Sequence, residues 1–239
     1  MGEGASGDKT LAADKEAEDL ILGALRKVEG VGILSEEAGR LGPDRAETLA
    51  VVDPLDGSSN FERGIPFYCT SVGVVRGRSV DGMVVGVVRD LVTGDVYHAV
   101  RGRGARKNGR PIRTSRVSNL SSAVVGVDLS RGPSSVTSRL APLISRAKRQ
   151  VHFGANALEL CLLADGSIDS FVDVRGMMRI TDFAGASVIA GEAGAVITTP
   201  LGRKLAPEFD LAHRFSFVAS ANASLQRDIL NRARFTAAL

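Results

Sequence analysis

Leu49-Ala50-Val51-Val52-Asp53-Pro54-Leu55-Asp56-Gly57-Ser58-Ser59-Asn60-Phe61 runs an apolar segment directly into two carboxylates and a short polar group. The apolar run reads as a buried strand that ends at Asp53. Pro54 fixes φ and keeps a helix from starting early, and Asp56 follows on the turn, so two hard oxygen donors converge. In a turned backbone the Leu55 carbonyl points the same way, adding a third oxygen of the kind Mg²⁺ accepts. Gly57-Ser58-Ser59 then opens a helix, whose unpaired N–H groups and dipole favour phosphate. Against this stands a plain turn: Asp-Pro and Asp-Gly are frequent turn pairs, and Ser-Ser-Asn is a common cap.

The chain has 239 residues and 44% hydrophobic content, enough to bury a substantial core as one large α/β unit or two small ones. Cys69 and Cys161 lie far apart in apolar contexts with no partner at zinc-ligand spacing, and are expected as buried thiols. The net charge of +3 says little about partners. With no N-terminal apolar segment and no run of about 18 apolar residues, neither secretion nor membrane spanning is expected, and the cytoplasm is the default location.

Outward from the opening stretch, residues 1–7 read as a mobile tail and Leu20, Ile21, Ala24, Leu25 and Val28 have helical spacing behind an acidic start. Strands are expected over 31–34 and 49–52, the first leading into Ser35-Glu36-Glu37. A meander follows over 71–75, 82–89 and 94–100, then a basic Gly-rich segment to Arg116 and a strand over 123–127. Helices are expected over 134–148, 156–164, 182–193 and 223–235, and strands over 170–174, 195–199 and 215–219. With no repeat and no long linker, this is a mixed α/β or α+β chain with stacked layers, read as a single domain over 1–239.

Metal-assisted phosphoryl hydrolysis needs carboxylates converging from several segments, a group that orients water, and donors for the phosphate oxygens. Glu36, Glu37, Asp53, Asp56, Asp182 in Ile180-Thr181-Asp182-Phe183-Ala184-Gly185-Ala186, and Asp14 are the candidates. Singly, Asp182 also reads as an N-cap and Asp14 as first-turn compensation of the helix dipole.

In their order and approximate spacing, Ser35-Glu36-Glu37, the stretch from Asp53 to Phe61, and Thr181 to Ala186 resemble the inositol monophosphatase family, closest to the archaeal-type members acting on inositol monophosphate and fructose 1,6-bisphosphate. Gly64-Ile65-Pro66-Phe67, Gly102-Arg103-Gly104-Ala105 with Asn108-Gly109, and Phe153-Gly154-Ala155 extend the likeness to about residues 8–235. The resemblance implies a layered αβαβα sandwich, a Mg²⁺-dependent phosphomonoesterase with two to three ions per site, and a homodimer. It places the first ion on Glu36, Asp53 and the Leu55 carbonyl, and the second on Asp53, Asp56 and Asp182. Asp14 and Ser58 would orient the attacking water, Glu37 would join them as a catalytic residue, and Gly57, Ser58 and Ser59 would donate to the phosphate. Two departures stand out. The family's usual Trp before the last metal-binding Asp is Thr181, and the helix preceding the segment around Asp14 is expected to be missing.

Substrate choice is expected from Asn156, Asp173, Arg175 and Arg179, the arginines suiting a second phosphate or else pairing with carboxylates. A small phosphorylated sugar or cyclitol is the expected partner, with no nucleic acid and no membrane. His98, His152 and His213 read as structural, Glu159 as half of a core ion pair, and the basic run 101–116 as a hairpin turning at Asn108-Gly109 rather than an RNA-binding segment, since it has no aromatic residue. The other readings are a nucleotide 3′- or 2′-phosphatase of NADP type and a non-catalytic phosphate-binding relative.

Overall fold

The computed structural model describes residues 4–5, 12–43, 46–77 and 79–233. Eight strands form one sheet in the order β2-β1-β3-β4-β5-β6-β7-β8: β1 (Val31–Ser35), β2 (Gly39–Leu41), β3 (Thr48–Asp56), β4 (Cys69–Arg76), β5 (Met83–Asp90), β6 (Val96–Val100), β7 (Ala105–Lys107) and β8 (Arg110–Pro111). Five form a second, in the order β10-β9-β11-β13-β12: β9 (Val124–Val127), β10 (Arg149–Val151), β11 (Ser170–Met178), β12 (Val196–Thr198) and β13 (Phe215–Ser220). In the first sheet β1 runs parallel to β3 and the remaining pairs are antiparallel; in the second, β9 is parallel to both β10 and β11.

Helices α4 (Asn156–Ala164) and α5 (Ile180–Ala193) lie between the sheets in the main core, with Phe171, Phe183 and Phe217 packed edge-on or tilted. Outside the small sheet, α3 (Ser134–Ile144) and α6 (Ala223–Ala233) cover a second core. Outside the large sheet, α1 (Ala12–Leu25) covers a third, built on Leu22, Ile33, Ala50 and Val52. The layers therefore run αβαβα, as the resemblance implies.

α5 lies directly on the large sheet, and glycines permit it. A Cβ on Gly86 would stand 2.0 Å from the Gly185 carbonyl oxygen, and one on Gly73 2.7 Å from the Gly185 nitrogen. Backbone thus meets backbone, a distance no side chain allows.

The expected elements are present with shifted ends. β3 does not stop at Asp53 but continues through Pro54 to Asp56. β11 runs on to Met178, α5 starts two residues earlier than expected, and α3 ends at Ile144. Asn108 and Gly109 turn the β7–β8 hairpin with φ of 50° and 77°, as expected. Most of the tail expected over 1–7 falls outside the described residues, as does most of the region where a helix was expected to be missing. Ala5, which is described, donates its N–H to the Glu37 carbonyl at 2.9 Å, so that part is docked rather than loose.

Candidate active site

Asp53 pairs with Ser71 and Asp56 with Cys69, so β3 advances three positions where β4 advances two. The extra residue is a β-bulge. In a regular strand, residues three apart face opposite sides of the sheet; the bulge turns Asp56 to the side of Asp53. Thr70 Oγ1 donates to the freed Pro54 carbonyl at 2.8 Å, satisfying the interrupted ladder. Gly57 follows at φ 91° and starts α2 (Ser58–Arg63). A Cβ there would meet the Phe67 carbonyl at 3.0 Å and Ala155 at 3.1 Å, so both the backbone angle and the space require glycine.

The third carboxylate comes from the central layer. Arg179 occupies the cap position of α5, placing Asp182 in its first turn rather than at the N-cap. One ligand oxygen from each of Asp53, Asp56 and Asp182 lies within 4.8 Å of the others. Each is held: Asp53 Oδ1 accepts from Leu55 N at 3.0 Å, Asp56 Oδ2 from Ala157 N at 2.6 Å, and Asp182 Oδ2 from Asn156 Nδ2 at 3.2 Å. Glu36, just past β1, shares a hydrogen bond with Asp53 and is paired with Arg179.

Like charges in a dry site resist ionisation. Burial first, then the charge of Asp182, push Glu36 up to about 7, with Arg179 pulling the other way. Burial, then Glu36 and Asp182, hold Asp53 far above the usual carboxylate range. Burial and Asp182 do the same to Asp56 against the backbone donors of Ala157 and Asn156. An all-oxygen donor set with excess negative charge fits a hard divalent cation such as Mg²⁺.

These carboxylates open on a cavity of about 500 Å³ between the two sheets. Glu37, Leu55, Gly57, Ser58 and Ser59 line it from the large-sheet side. Asp14 reaches it from α1, which is anchored one turn further on: Glu18 Oε1 accepts from Ser35 Oγ at 2.5 Å and Ala38 N at 2.8 Å. Asn156, Arg175 and Arg179 line it from the other side. Asp173, expected in substrate binding, is fully buried and does not line the cavity; its Oδ2 lies 2.7 Å from Arg175 Nη2. Both arginines expected to meet substrate are occupied by carboxylates, Arg175 also by Asp128 at 2.5 Å and Arg179 by Glu36.

Asp128, Ser130, Arg131, His152, Met177 and Arg214 also line the cavity without having been singled out as substrate residues. The available signal was positional: Asp128 follows β9 as Glu36 follows β1. His152 stands between Asp128 (Nε2 to Oδ1, 3.3 Å) and the buried Glu159 (Nδ1 to Oε1, 3.0 Å), the ion pair expected of Glu159. Burial alone would lower the His152 pKa, but the Glu159 bond and the two carboxylate charges outweigh it and raise it.

The model of the inositol monophosphatase family matches residues 2–236. A fructose-1,6-bisphosphatase/inositol-1-monophosphatase of Methanothermobacter thermautotrophicus is 37% identical, over 95% of this chain and 84% of that one. A bifunctional NADP phosphatase/NAD kinase of Methanocaldococcus jannaschii is 31% identical, over 91% of this chain and 43% of that longer one. A solved inositol monophosphatase–fructose 1,6-bisphosphatase superposes with a TM-score of 0.85 at 36% identity, covering 97% of this chain and 87% of that one.

Proposed function

This chain belongs to the inositol monophosphatase family, and from that membership we propose a phosphomonoesterase that hydrolyses inositol monophosphate and fructose 1,6-bisphosphate at the cavity between its sheets. It is a phosphoric monoester hydrolase. The observation that supports the site most strongly is the convergence of Asp53, Asp56 and Asp182 from a bulged strand and a central helix.

Glu36, Asp53, the Leu55 carbonyl, Asp56 and Asp182 would hold two to three Mg²⁺ ions, which when bound supply positive charge that acidifies water and stabilises a leaving alkoxide. The chain's own groups do the rest. Asp14, buried on α1, and the Ser58 hydroxyl orient the incoming water, with Glu37 in the same cavity. Gly57, Ser58 and Ser59 offer N–H groups at a helix start, where no intrahelical acceptor exists, to the phosphoryl oxygens. Asn156 keeps the Asp182 carboxylate oriented and faces the leaving group.

The proposal includes a single catalytic unit, a homodimer as the resemblance implies, and a cytoplasmic location. None of the described helices is long and apolar enough to cross a membrane, and both cysteines are free and buried. Light scattering of the purified protein checks the dimer.

Phosphate release from inositol 1-phosphate, fructose 1,6-bisphosphate and NADP⁺, with and without Mg²⁺, tests the activity. Turnover of the first two that requires Mg²⁺ is expected. Release confined to NADP⁺ would instead select the reading favoured by the NADP phosphatase relatives.

A further inference from the structure

The cavity's two walls have different origins. Asp53 and Asp56 come from the large sheet and Asp182 from α5, with Ser58 on α2 directly after β3, whereas the turn over residues 128–132 leaves the end of β9 in the small sheet. That turn is built around Ser130. Asp128 Oδ1 accepts from Ser130 N at 2.8 Å and Ser130 Oγ at 2.5 Å, while Arg175 Nη1 donates to Ser130 O at 2.7 Å and Ser130 Oγ at 3.0 Å. Arg175, its side chain 5% exposed and paired with Asp128 and Asp173, is therefore a bracket for the turn.

The bracket fixes the next residue, Arg131, in the left-handed region at φ 57°. Arginine has no preference for that region, where Gly, Asn and Asp are usual, and strained backbone of this kind clusters at functional positions. Arg131 is exposed and lines the cavity. The other arginines there are engaged: Arg175 as above, Arg179 with Glu36, and Arg214 with the Leu211 and His213 carbonyls. Among the described residues lining the cavity, Arg131 is the one cation for which no hydrogen bond or ion pair is seen.

We propose that Arg131 receives a phosphate of the substrate other than the scissile one, and so sets the preference for substrates with more than one phosphate over simple monophosphates. A guanidinium offers paired donors that match phosphate oxygens. The inference rests on reading this cavity as the phosphatase site, with the scissile phosphate on the large-sheet wall and the other on the small-sheet wall.

The test compares wild type with Arg131→Asn, which tolerates the left-handed backbone, and Arg131→Lys, which keeps the charge. The expected result is a KM for fructose 1,6-bisphosphate, for NADP⁺ or for both raised about tenfold or more in Arg131→Asn. Inositol 1-phosphate should keep its KM within about twofold, kcat should hold, and Arg131→Lys should fall between; the affected substrate identifies the source of the second phosphate. Equal changes on all substrates, or none, overturn the inference. Should wild type release phosphate from no substrate, the phosphatase reading falls, and calorimetric binding of fructose 1,6-bisphosphate against fructose 1-phosphate decides Arg131 separately. A preference for the bisphosphate that Arg131→Asn leaves intact, or the lack of any such preference in wild type, overturns the assignment.

Discussion

Thr181 Oγ1 donates a 2.9 Å hydrogen bond to Asp182 Oδ1, while Asn156 Nδ2 holds Oδ2 of the same carboxylate at 3.2 Å. Both oxygens of one site carboxylate are thereby oriented from adjacent helices, and Thr181, fully buried, does so where the family resemblance leads one to expect Trp. Groups that orient a metal ligand typically change metal affinity by about 10–100-fold when removed. Thr181→Val keeps the volume and removes the hydroxyl. A Mg²⁺ titration of its activity should show an activation constant about tenfold higher with kcat at saturation little changed; an unchanged constant would mean that the bond does not tune the site.

Asp56→Asn removes a site carboxylate at nearly constant volume, and its amide oxygen still accepts from Ala157 N. Mg²⁺-dependent turnover should fall to background. The metal-free variant should melt no lower than wild type, because one of several buried like charges is gone. Turnover at the wild-type rate would remove Asp56 from the metal site.

Glu36 titrates near 7 in the metal-free fold, above its ordinary value of 4.5, and Asp53 and Asp56 are raised as well. A carboxyl raised on folding contributes stability that is fully present below its unfolded pKa and lost as pH rises through the folded one. The melting temperature in chelator should therefore carry a downward contribution from Glu36 between about pH 4.5 and 7, to which Asp53 and Asp56 add in the same direction. Mg²⁺ compensates the ionised forms, so the gain in melting temperature on adding it should be larger at pH 8 than at pH 5.5. A gain independent of pH would contradict the placement of cations on these carboxylates.

Gly86→Ala places a Cβ 2.0 Å from the Gly185 carbonyl oxygen, and backbone cannot yield as a side-chain tip can. Moving α5 off the sheet should cost about 3 kcal/mol or more, measured by denaturant unfolding. Because α5 carries Asp182, residual folded protein should also need more Mg²⁺. A neutral substitution would show that the helix does not set the site's spacing.

The element types were legible because they rest on local periodicity. Strand segments at 31–34 and 49–52 and the helix over Asn156–Ala164 were readable from spacing alone, and the carboxylates of the opening stretch from chemistry and order. The bulge between Asp53 and Asp56 was not legible, since it exists only in the pairing of β3 with β4. The roles of Arg175 and Arg131 were hidden for a related reason. Arg175 lies within β11 and Arg131 just past β9; Asp173 stands two residues from Arg175 on the same strand, but Asp128, which completes the pairing, arrives from the end of β9.

By itself, then, the amino-acid sequence determined the layered α/β class, the carboxylate-rich chemistry and the family, all carried by short-range order along the chain. Tertiary structure alone decided that a bulge in β3, rather than a turn, brings Asp56 to the side of Asp53, that Gly86 and Gly185 let Asp182 reach them, and that Arg131 has no partner among the described residues. Each of these is a distance between segments far apart in sequence, fixed by packing and register that no local pattern encodes.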